Sequence, residues 1–188
     1  VGECGSISDG AIWNKSQLRE LLTSERLNLP PTPTGSIKYH VIGDDAFGLT
    51  ERVVKPFPRS NSNLSDAQLV MNYRLSRARR VVENCFGIMS SKFRVLRTPI
   101  LLNAEHAVLV VNACVCLHNF LLNENAEDYI QSHDFDHEDD QHLLIPGAWE
   151  HDPEKLQLAN VDRLVGNRPS SAAQAQRDAI ANYFYDIS

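Results

Sequence analysis

The chain has 188 residues, of which 43% are hydrophobic and 22% charged, and its formal net charge is −6. This composition permits one folded domain with a hydrophobic core plus some unpacked chain. The four cysteines are irregularly spaced and predict no disulfide framework. The longest apolar run, 107–117, is interrupted by Asn112 and is far shorter than the roughly 20 residues of a membrane span. We therefore expect a soluble protein from a reducing compartment, without a membrane partner.

Charge is distributed unevenly along the chain. Between Glu51 and Arg97 there are ten basic and three acidic residues, whereas between Asn123 and Asn160 there are eleven acidic residues and one lysine. The basic stretch predicts a surface that binds a polyanion. The acidic stretch predicts a solvated segment.

A helix is predicted near the N-terminus, where Ser8 or Asp9 offers a cap for a helical stretch that extends to Leu27. The proline-rich stretch 30–35 suits neither helix nor strand, so a loop is expected to lead into the first strand near Tyr39. Capping alone would account for the presence of Asp9.

A strand and a turn with two acids come next. Val41 and Ile42 predict the end of a buried strand, and Gly43 allows the chain to turn after it. Asp44 and Asp45 would then emerge at the carboxyl edge of the strand, where α/β sheets place their functional residues. Oxygen ligands of this kind suit hard divalent cations such as Mg²⁺ or Mn²⁺.

The long helix predicted after Ser65 carries a third acid, Glu83. Apolar residues recur at helical spacing along this stretch, and Ser65 is a suitable cap. Because apolar side chains flank Glu83, its carboxylate is expected to leave the helix on or beside the face that packs on the sheet. A functional carboxylate is then favoured over one more surface charge, since burying an unpaired carboxylate is costly.

The second half of the chain begins with a short extended segment predicted at 93–96. A strongly apolar helix is predicted from Asn103 to about Asn123, and it should be buried on most of its surface. Residues 125–141 lack periodicity and predict disorder or a loose surface segment. The last predicted helix spans 171–185, with a docking face made of Ala172, Ala175, Ala179, Ile180 and Phe184.

Several of these segments resemble the PIF/Harbinger-type transposases and the host nucleases domesticated from them. In that family, a Gly-Asp-small-aromatic strand end carries one acid, and an Arg-x-x-(Ile/Val)-Glu-Asn/Lys-x-Phe-Gly helix carries another. VIGDDAF, ending at Phe47, and RRVVENCFG, ending at Gly87, match these patterns. The opening VGECGSISDGAIWNKSQL, the basic SKFRVLRTP, the helix end VCLHNFL and a terminal R-x-x-I-x-x-YF agree as well, so the resemblance spans most of the chain.

The resemblance implies an α/β fold, namely an RNase H-like DDE nuclease core with C-terminal helices. Asp44 and Glu83 fall on the catalytic, metal-binding positions, and Asp9 becomes an accessory metal candidate. The implied cofactor is a divalent cation, Mg²⁺ or Mn²⁺. Asp45 is expected to be a neighbour that tunes the site, since the family usually has a small residue there.

The family's first catalytic Asp lies upstream of the position that matches Val1. The chain is therefore expected to be an N-terminally truncated nuclease domain that lacks its first strands and does not nick DNA alone. The expected segments are a partial nuclease domain at 1–124, an acidic, disordered segment at 125–160 and a helical segment at 161–188.

The basic residues around Glu83 predict contact with DNA. Arg79 and Arg80 lie one turn before Glu83 and would hold phosphates beside the metal site, the alternative being a solvated helix face. The resemblance adds a nuclear location, with the cytoplasm as the alternative, and a Myb-like partner protein that reads the DNA sequence. The predicted DNA-binding residues are Arg74, Arg77, Arg79, Arg80, Lys92, Arg94 and Arg97.

Two functions follow from these expectations. The first is a metal-dependent DNA endonuclease or transposase of Harbinger type, which hydrolyses phosphodiester bonds or transfers DNA strands. The second is a domesticated, non-catalytic chromatin or protein-interaction module.

A zinc site at Cys114, Cys116 and His118 is not expected, because only Cys114 and His118 share a helix face and no second ligand pair follows.

Overall fold

The computed structural model describes residues 7–30, 32, 37–58, 63–151 and 168–188, without the side chains of 125–126. These residues divide into two compact units. The first unit contains the described residues of 3–79 and 160–188, and the second contains those of 80–159. One long helix passes from the first unit into the second between Arg79 and Arg80.

Helices dominate the part of the chain that is described, and the strands are short. Single 3-10 turns lie at Arg94–Leu96, Ser132–Asp134 and Ala148–His151. The helices are α1 (Asp9–Lys15), α2 (Gln17–Thr23), α3 (Asp66–Lys92), α4 (Ala104–Tyr129) and α5 (Ser171–Asp186), and the strands are β1 (Val41–Ile42), β2 (Val53–Val54), β3 (His137–Glu138) and β4 (Leu144–Ile145).

The first unit holds a parallel pair of strands. Val41 of β1 lies opposite Val53 of β2, and Ile42 lies opposite Val54. β2 is fully buried, as suits β-branched residues in a core. The prediction that β1 ends a buried strand is only partly right, since Ile42 is half-buried and Val41 is exposed. β1 has one strand neighbour among the described residues, so part of it stays open to solvent.

The core of the first unit lies between α3 and α5. Met71 and Leu75 of α3 pack with Phe57 and with Ile180 of α5. The side chain of Asn72 secures the chain that follows β2: Nδ2 donates to the Phe57 carbonyl at 3.1 Å, and Oδ1 accepts from the Phe57 N–H at 2.7 Å. This packing holds the end of β2 against α3.

The predicted N-terminal helix is broken into two short ones. Ser8 caps α1, as expected. At Ser16 the backbone becomes extended, and its hydroxyl accepts from the Arg19 N–H at 3.1 Å to begin α2. Serine offers the backbone this alternative to continuous helix. α2 ends at Thr23 and not at the predicted Leu27.

The C-terminal helix α5 matches the predicted span to within one residue, but its buried face differs. Ile180 is buried as predicted, whereas Ala172 and Ala175 are exposed and Gln176 is buried. The Gln176 amide accounts for the difference, because it accepts from the Lys38 N–H at 3.4 Å and donates to the Lys38 carbonyl at 3.0 Å. Apolar spacing alone does not predict such a polar contact.

The start of α3 is as predicted, but the segment after its end is not. The Ser65 hydroxyl accepts from the Gln68 N–H, and the Gln68 side chain accepts from the Ser65 N–H at 3.1 Å. This reciprocal capping box satisfies two backbone donors at the start of the helix. After Lys92 the chain forms the 3-10 turn Arg94–Leu96 in place of the extended segment.

Helix α4 begins as predicted, with the Asn103 side chain accepting from the His106 N–H at 2.9 Å. The prediction that α4 is mostly buried is wrong, because only 11% of the stretch Ala104–Glu124 is buried. Cys114 and His118 face the interior, while Leu109 and Phe120 are exposed. By length and composition alone this stretch would suffice to span a membrane, a test that core helices of soluble proteins also pass.

Residues 130–151, which belong to the predicted acidic segment, contain β3, β4 and two 3-10 turns. β3 and β4 pair antiparallel, with His137 opposite Ile145 and Glu138 opposite Leu144. We call residues 130–151 the acidic hairpin. Specific bonds join the acidic hairpin to α3 within the second unit, and composition does not reveal them. Of the rest of the predicted acidic segment 125–160, residues 125–129 belong to α4, and residues 152–160 lie outside the described residues.

Candidate active site

Asp44 lies in a tight turn that follows β1. Its Oδ1 accepts from the Ala46 N–H at 2.9 Å, and its carbonyl accepts from the Phe47 N–H at 3.2 Å. A Cβ on Gly43 would lie 3.1 Å from the Phe47 side chain, so the turn is closely packed at its base. The side chain of Asp44 remains 43% exposed, and its Oδ2 makes neither of these two backbone bonds. The turn thus presents an acid at the end of a strand, as predicted.

Helix α1 packs on the same turn. A Cβ on Gly10 would lie 2.7 Å from the Ala46 carbonyl oxygen, so only glycine fits there without a shift. The Trp13 ring meets the Phe47 ring edge to face, with centroids 6.5 Å apart. Because Ser8 provides the cap, capping does not account for Asp9, which occupies the first turn of α1. α1 therefore carries Asp9 on an element that contacts the Asp44 turn.

Two cations flank the acids of this turn. Arg79 Nη2 lies 3.8 Å from Asp44 Oδ2, and Lys55 Nζ lies 3.7 Å from Asp45 Oδ1. Arg79 comes from α3 and Lys55 from the residue after β2, so two different elements supply the charges. Lys55 was not among the predicted DNA-binding residues. Its position within the basic stretch 51–97 was visible in the sequence, but its pairing with Asp45 was not.

Glu83 lies on α3 in the second unit, where its carboxyl side chain is exposed. The residue after it, Asn84, is bonded to the acidic hairpin: Oδ1 accepts from the Asp136 N–H at 2.8 Å and from Trp149 Nε1 at 2.9 Å. Asn84 Nδ2 donates to the Asp136 carbonyl at 3.3 Å. The Asn of the sequence motif thus has a structural contact of its own.

Gly87, also in the motif, is in contact with the Trp149 ring. A Cβ at this position would lie 2.2 Å from Trp149 Cδ2, so the ring occupies the space that a side chain would need. Asp136 completes the contact region, because its Oδ1 accepts from the Gly147 N–H at 2.7 Å in a buried hydrogen bond. None of these contacts was predicted from the sequence, although Gly87 was part of the motif.

Two of the predicted DNA-binding residues pair with acids of the hairpin. Arg80 Nη1 lies 2.9 Å from Glu138 Oε1, in a pair with side-chain exposures of 17% and 10%. Lys92 Nζ lies 3.4 Å from Asp134 Oδ2. Burial tends to raise the pKa of Asp134, but the Gln131 N–H and the Lys92 ammonium outweigh it, so this pKa lies below its ordinary value. The hairpin acids are thus ion-pair partners within the second unit.

Other predicted DNA-binding residues also have partners inside the chain. Arg97 donates from Nε to the Ser90 carbonyl at 3.0 Å and from Nη2 to the Ser91 carbonyl at 2.9 Å, which caps the end of α3. The Arg74 guanidinium lies 5.2 Å from the centre of the Phe184 ring. Arg77 makes a similar contact with Tyr73, at 5.7 Å. The predicted DNA-binding residues therefore differ in their contacts within the chain. Among the pairs described here, Arg79 is the residue that lies beside Asp44.

His118 lies in a small polar cluster of the second unit. Its Nδ1 is 2.8 Å from the Tyr129 hydroxyl, and its Nε2 is 3.6 Å from Cys85 Sγ. Burial lowers the pKa of His118. Burial also raises the pKa of Tyr129, with the Cys85 and Cys114 thiols contributing. Cys114 is buried as expected, whereas Cys116 is exposed.

The described residues contain no group of three or more His, Cys, Asp or Glu side chains that could hold a metal ion. Asp44 and Asp9 lie in the first unit and Glu83 lies in the second. Carboxylates are the right donors for a hard divalent cation, so the residues fit in chemistry. Within the described residues, however, they do not form a group of the three or more ligands that a metal site needs.

A family model described as DDE superfamily endonuclease matches residues 1–119. The matched stretch includes α1, the Asp44 turn, all of α3 and α4 as far as Asn119. No curated protein and no solved structure matches the chain. Mixed helices and small sheets are compatible with the fold of a DDE nuclease. Since the match covers more than half of the residues, the chain belongs to the DDE superfamily endonuclease family.

Proposed function

We propose that the chain belongs to a metal-dependent DNA endonuclease or transposase of Harbinger type. Membership of the DDE superfamily supports a transposase-derived nuclease, and such endonucleases generally use divalent metals. The observation that carries the proposal is the half-exposed side chain of Asp44 in the turn after β1, with Arg79 beside it and Lys55 beside the neighbouring Asp45. An acid and a phosphate-binding charge at one place are what phosphodiester chemistry requires.

In this proposal Asp44 and Glu83 are metal ligands and Asp9 is an accessory one, with Mg²⁺ or Mn²⁺ as the cation. The bound cation would activate water or a DNA 3′ hydroxyl and stabilise the leaving oxygen. The residues of the chain supply the oxygen donors and the surrounding charges. We also propose a nuclear location and a Myb-like partner that reads the DNA sequence.

Cation binding tests the proposal more directly than turnover, because the described residues do not complete a metal site. Mn²⁺ binding to the 188-residue chain, followed by electron paramagnetic resonance, should be lost in Asp44→Asn and in Glu83→Gln. Asp178→Asn, which removes an exposed acid of α5, is the matched control and should bind like the wild type. Equal Mn²⁺ binding by all four proteins would refute the assignment of these ligands.

A non-catalytic protein-interaction module is the second candidate, and one observation favours it. The outward face of α4 exposes Leu109, Ala113, Cys116 and Phe120, which recur at helical spacing. Exposed apolar surface of this kind often marks a contact with another protein. If the chain binds neither Mn²⁺ nor DNA, while Leu109→Ser with Phe120→Ser abolishes self-association measured by sedimentation, this candidate replaces the first.

A further inference from the structure

The two neighbouring arginines of the helix motif have opposite surroundings. Arg79 belongs to the first unit and approaches Asp44, while Arg80 belongs to the second and pairs with Glu138. Sequence alone does not distinguish them, because both lie one turn before Glu83. The contacts therefore allow a separate function to be assigned to each arginine.

The Arg79 pair is loose. Its atoms are 3.8 Å apart, beyond hydrogen-bonding distance, and its side chains are 32% and 43% exposed. The pair between Lys55 and Asp45 is similar, at 3.7 Å with exposures of 23% and 54%. Solvent-exposed ion pairs of this kind contribute little to stability and are screened by salt. A phosphate can therefore take the place of the carboxylate beside either cation.

The Arg80 pair is tight by comparison. Its atoms are 2.9 Å apart, and both side chains are largely covered. Removing Arg80 would take the guanidinium away from a mostly buried carboxylate, which is costly. Arg80 is thus committed to holding the acidic hairpin, and it is a poor candidate for contact with DNA.

The two loose cations differ in chemistry. The guanidinium of Arg79 presents a planar fork of donors that matches two phosphate oxygens, and the ammonium of Lys55 acts as a mobile point charge. They come from α3 and from the end of β2, and they lie beside adjacent acids of one turn. Each cation therefore lies beside one of the two neighbouring acids of the same turn.

We infer that Arg79 and Lys55 together hold a DNA phosphate beside the Asp44 turn, whereas Arg80 holds the acidic hairpin and does not contact DNA. The inference rests on the proposed function for its ligand, a DNA phosphodiester. It adds Lys55 to the site and removes Arg80 from it. Asp44 and Asp45 compete with the phosphate for the same two cations.

The test measures binding of a fluorescent DNA duplex to the 188-residue chain by anisotropy, in EDTA, over a range of salt concentrations. Lys55→Gln and Arg79→Gln should each reduce the slope of log affinity against log salt by about 0.9, the value for one phosphate contact on duplex DNA. The losses should be the same for unrelated sequences, since phosphate contacts position the protein and do not read bases. Arg80→Gln is the matched control and should keep the wild-type slope.

Asp44→Asn combined with Asp45→Asn should have the opposite effect and raise DNA affinity, because it removes the competing carboxylates. Thermal unfolding separates the arginines by a second readout: Arg80→Gln should lower the midpoint more than Arg79→Gln. If the wild type binds duplex DNA but Lys55→Gln and Arg79→Gln keep its slope, the inference is overturned and the proposed function stands. If the wild type shows no salt-dependent binding to DNA, both are overturned.

Discussion

Asn84 is joined to the backbone of Asp136 by two hydrogen bonds, one from the Asp136 N–H at 2.8 Å and one to its carbonyl at 3.3 Å. A side-chain amide is the group that satisfies a backbone donor and acceptor together in this way. Asn84 also accepts from Trp149 Nε1 at 2.9 Å. One residue of α3 therefore holds both ends of the acidic hairpin.

Loss of this amide should release the hairpin from α3. Asn84→Ala removes three hydrogen bonds, and at about 1 kcal/mol each we expect a loss of roughly 2 to 3 kcal/mol. The measurement is hydrogen–deuterium exchange of backbone amides in residues 132–151, which should become faster. Asn112→Ala, at an exposed position of α4, is the matched control and should leave this exchange unchanged. Protection of the hairpin in Asn84→Ala would contradict this account.

Replacing Gly87 should displace the Trp149 ring, since a Cβ would lie 2.2 Å from Cδ2. We expect Gly87→Ala to cost about 1 to 3 kcal/mol, the usual range for overpacking. Trp149 fluorescence, recorded in a Trp13→Phe background, should shift towards that of an exposed indole. Because Trp149→Ala would open the same space, adding Gly87→Ala to it should cost much less. Additive losses in the double variant would contradict the contact.

Helix α1 should tolerate no side chain at Gly10, where a Cβ would approach the Ala46 carbonyl oxygen to 2.7 Å. Gly10→Ala is expected to destabilise the first unit by about 1 to 3 kcal/mol. Gly48→Ala is the matched control in the same region, since nothing lies within 4 Å of its Cβ. That substitution should be neutral or stabilising by up to about 1 kcal/mol, because it restricts the unfolded chain. Urea unfolding of both variants checks the difference.

Stability should depend on pH through His118, whose pKa is lowered from its ordinary value of 6.5 by burial. The folded protein holds this histidine neutral, so below pH 6.5 the unfolded chain binds more protons than the folded one. The contribution of neutral His118 to the free energy of unfolding should be fully present above pH 6.5. It should decrease as the pH falls towards the lowered pKa of the folded protein. Urea midpoints measured between about pH 5 and 7.5 test this expectation.

Two histidine variants test whether His118, and not another histidine, causes the pH dependence of the urea midpoint. His118→Gln should flatten the dependence of the urea midpoint on pH, although it lowers the midpoint itself. His106→Gln removes another imidazole from α4 and should preserve the wild-type dependence. An unchanged pH dependence in His118→Gln would show that other groups cause it.

Local sequence signals predicted the elements that depend on nearby residues. Ser65 and Asn103 were identified as helix caps because a capping side chain bonds backbone groups only a few residues away. The acid at the end of β1 and the two motif segments could also be predicted, because each is defined by residues that are neighbours in the sequence. The break at Ser16 was also local, but a serine permits both a helix interior and a cap, and spacing did not decide between them.

Contacts distant in sequence were decided only by the tertiary structure. Arg79 and Arg80 are adjacent in the chain, yet one faces Asp44 and the other Glu138. The acidic hairpin has the composition of a disordered segment, but Asn84 and Gly87 provide it with a docking surface. A pattern of charge and hydrophobicity determines what a segment can do. Which partner a side chain contacts depends on distances that folding sets. These distances distinguish Arg80, which pairs closely with Glu138, from Arg79, which pairs loosely with Asp44.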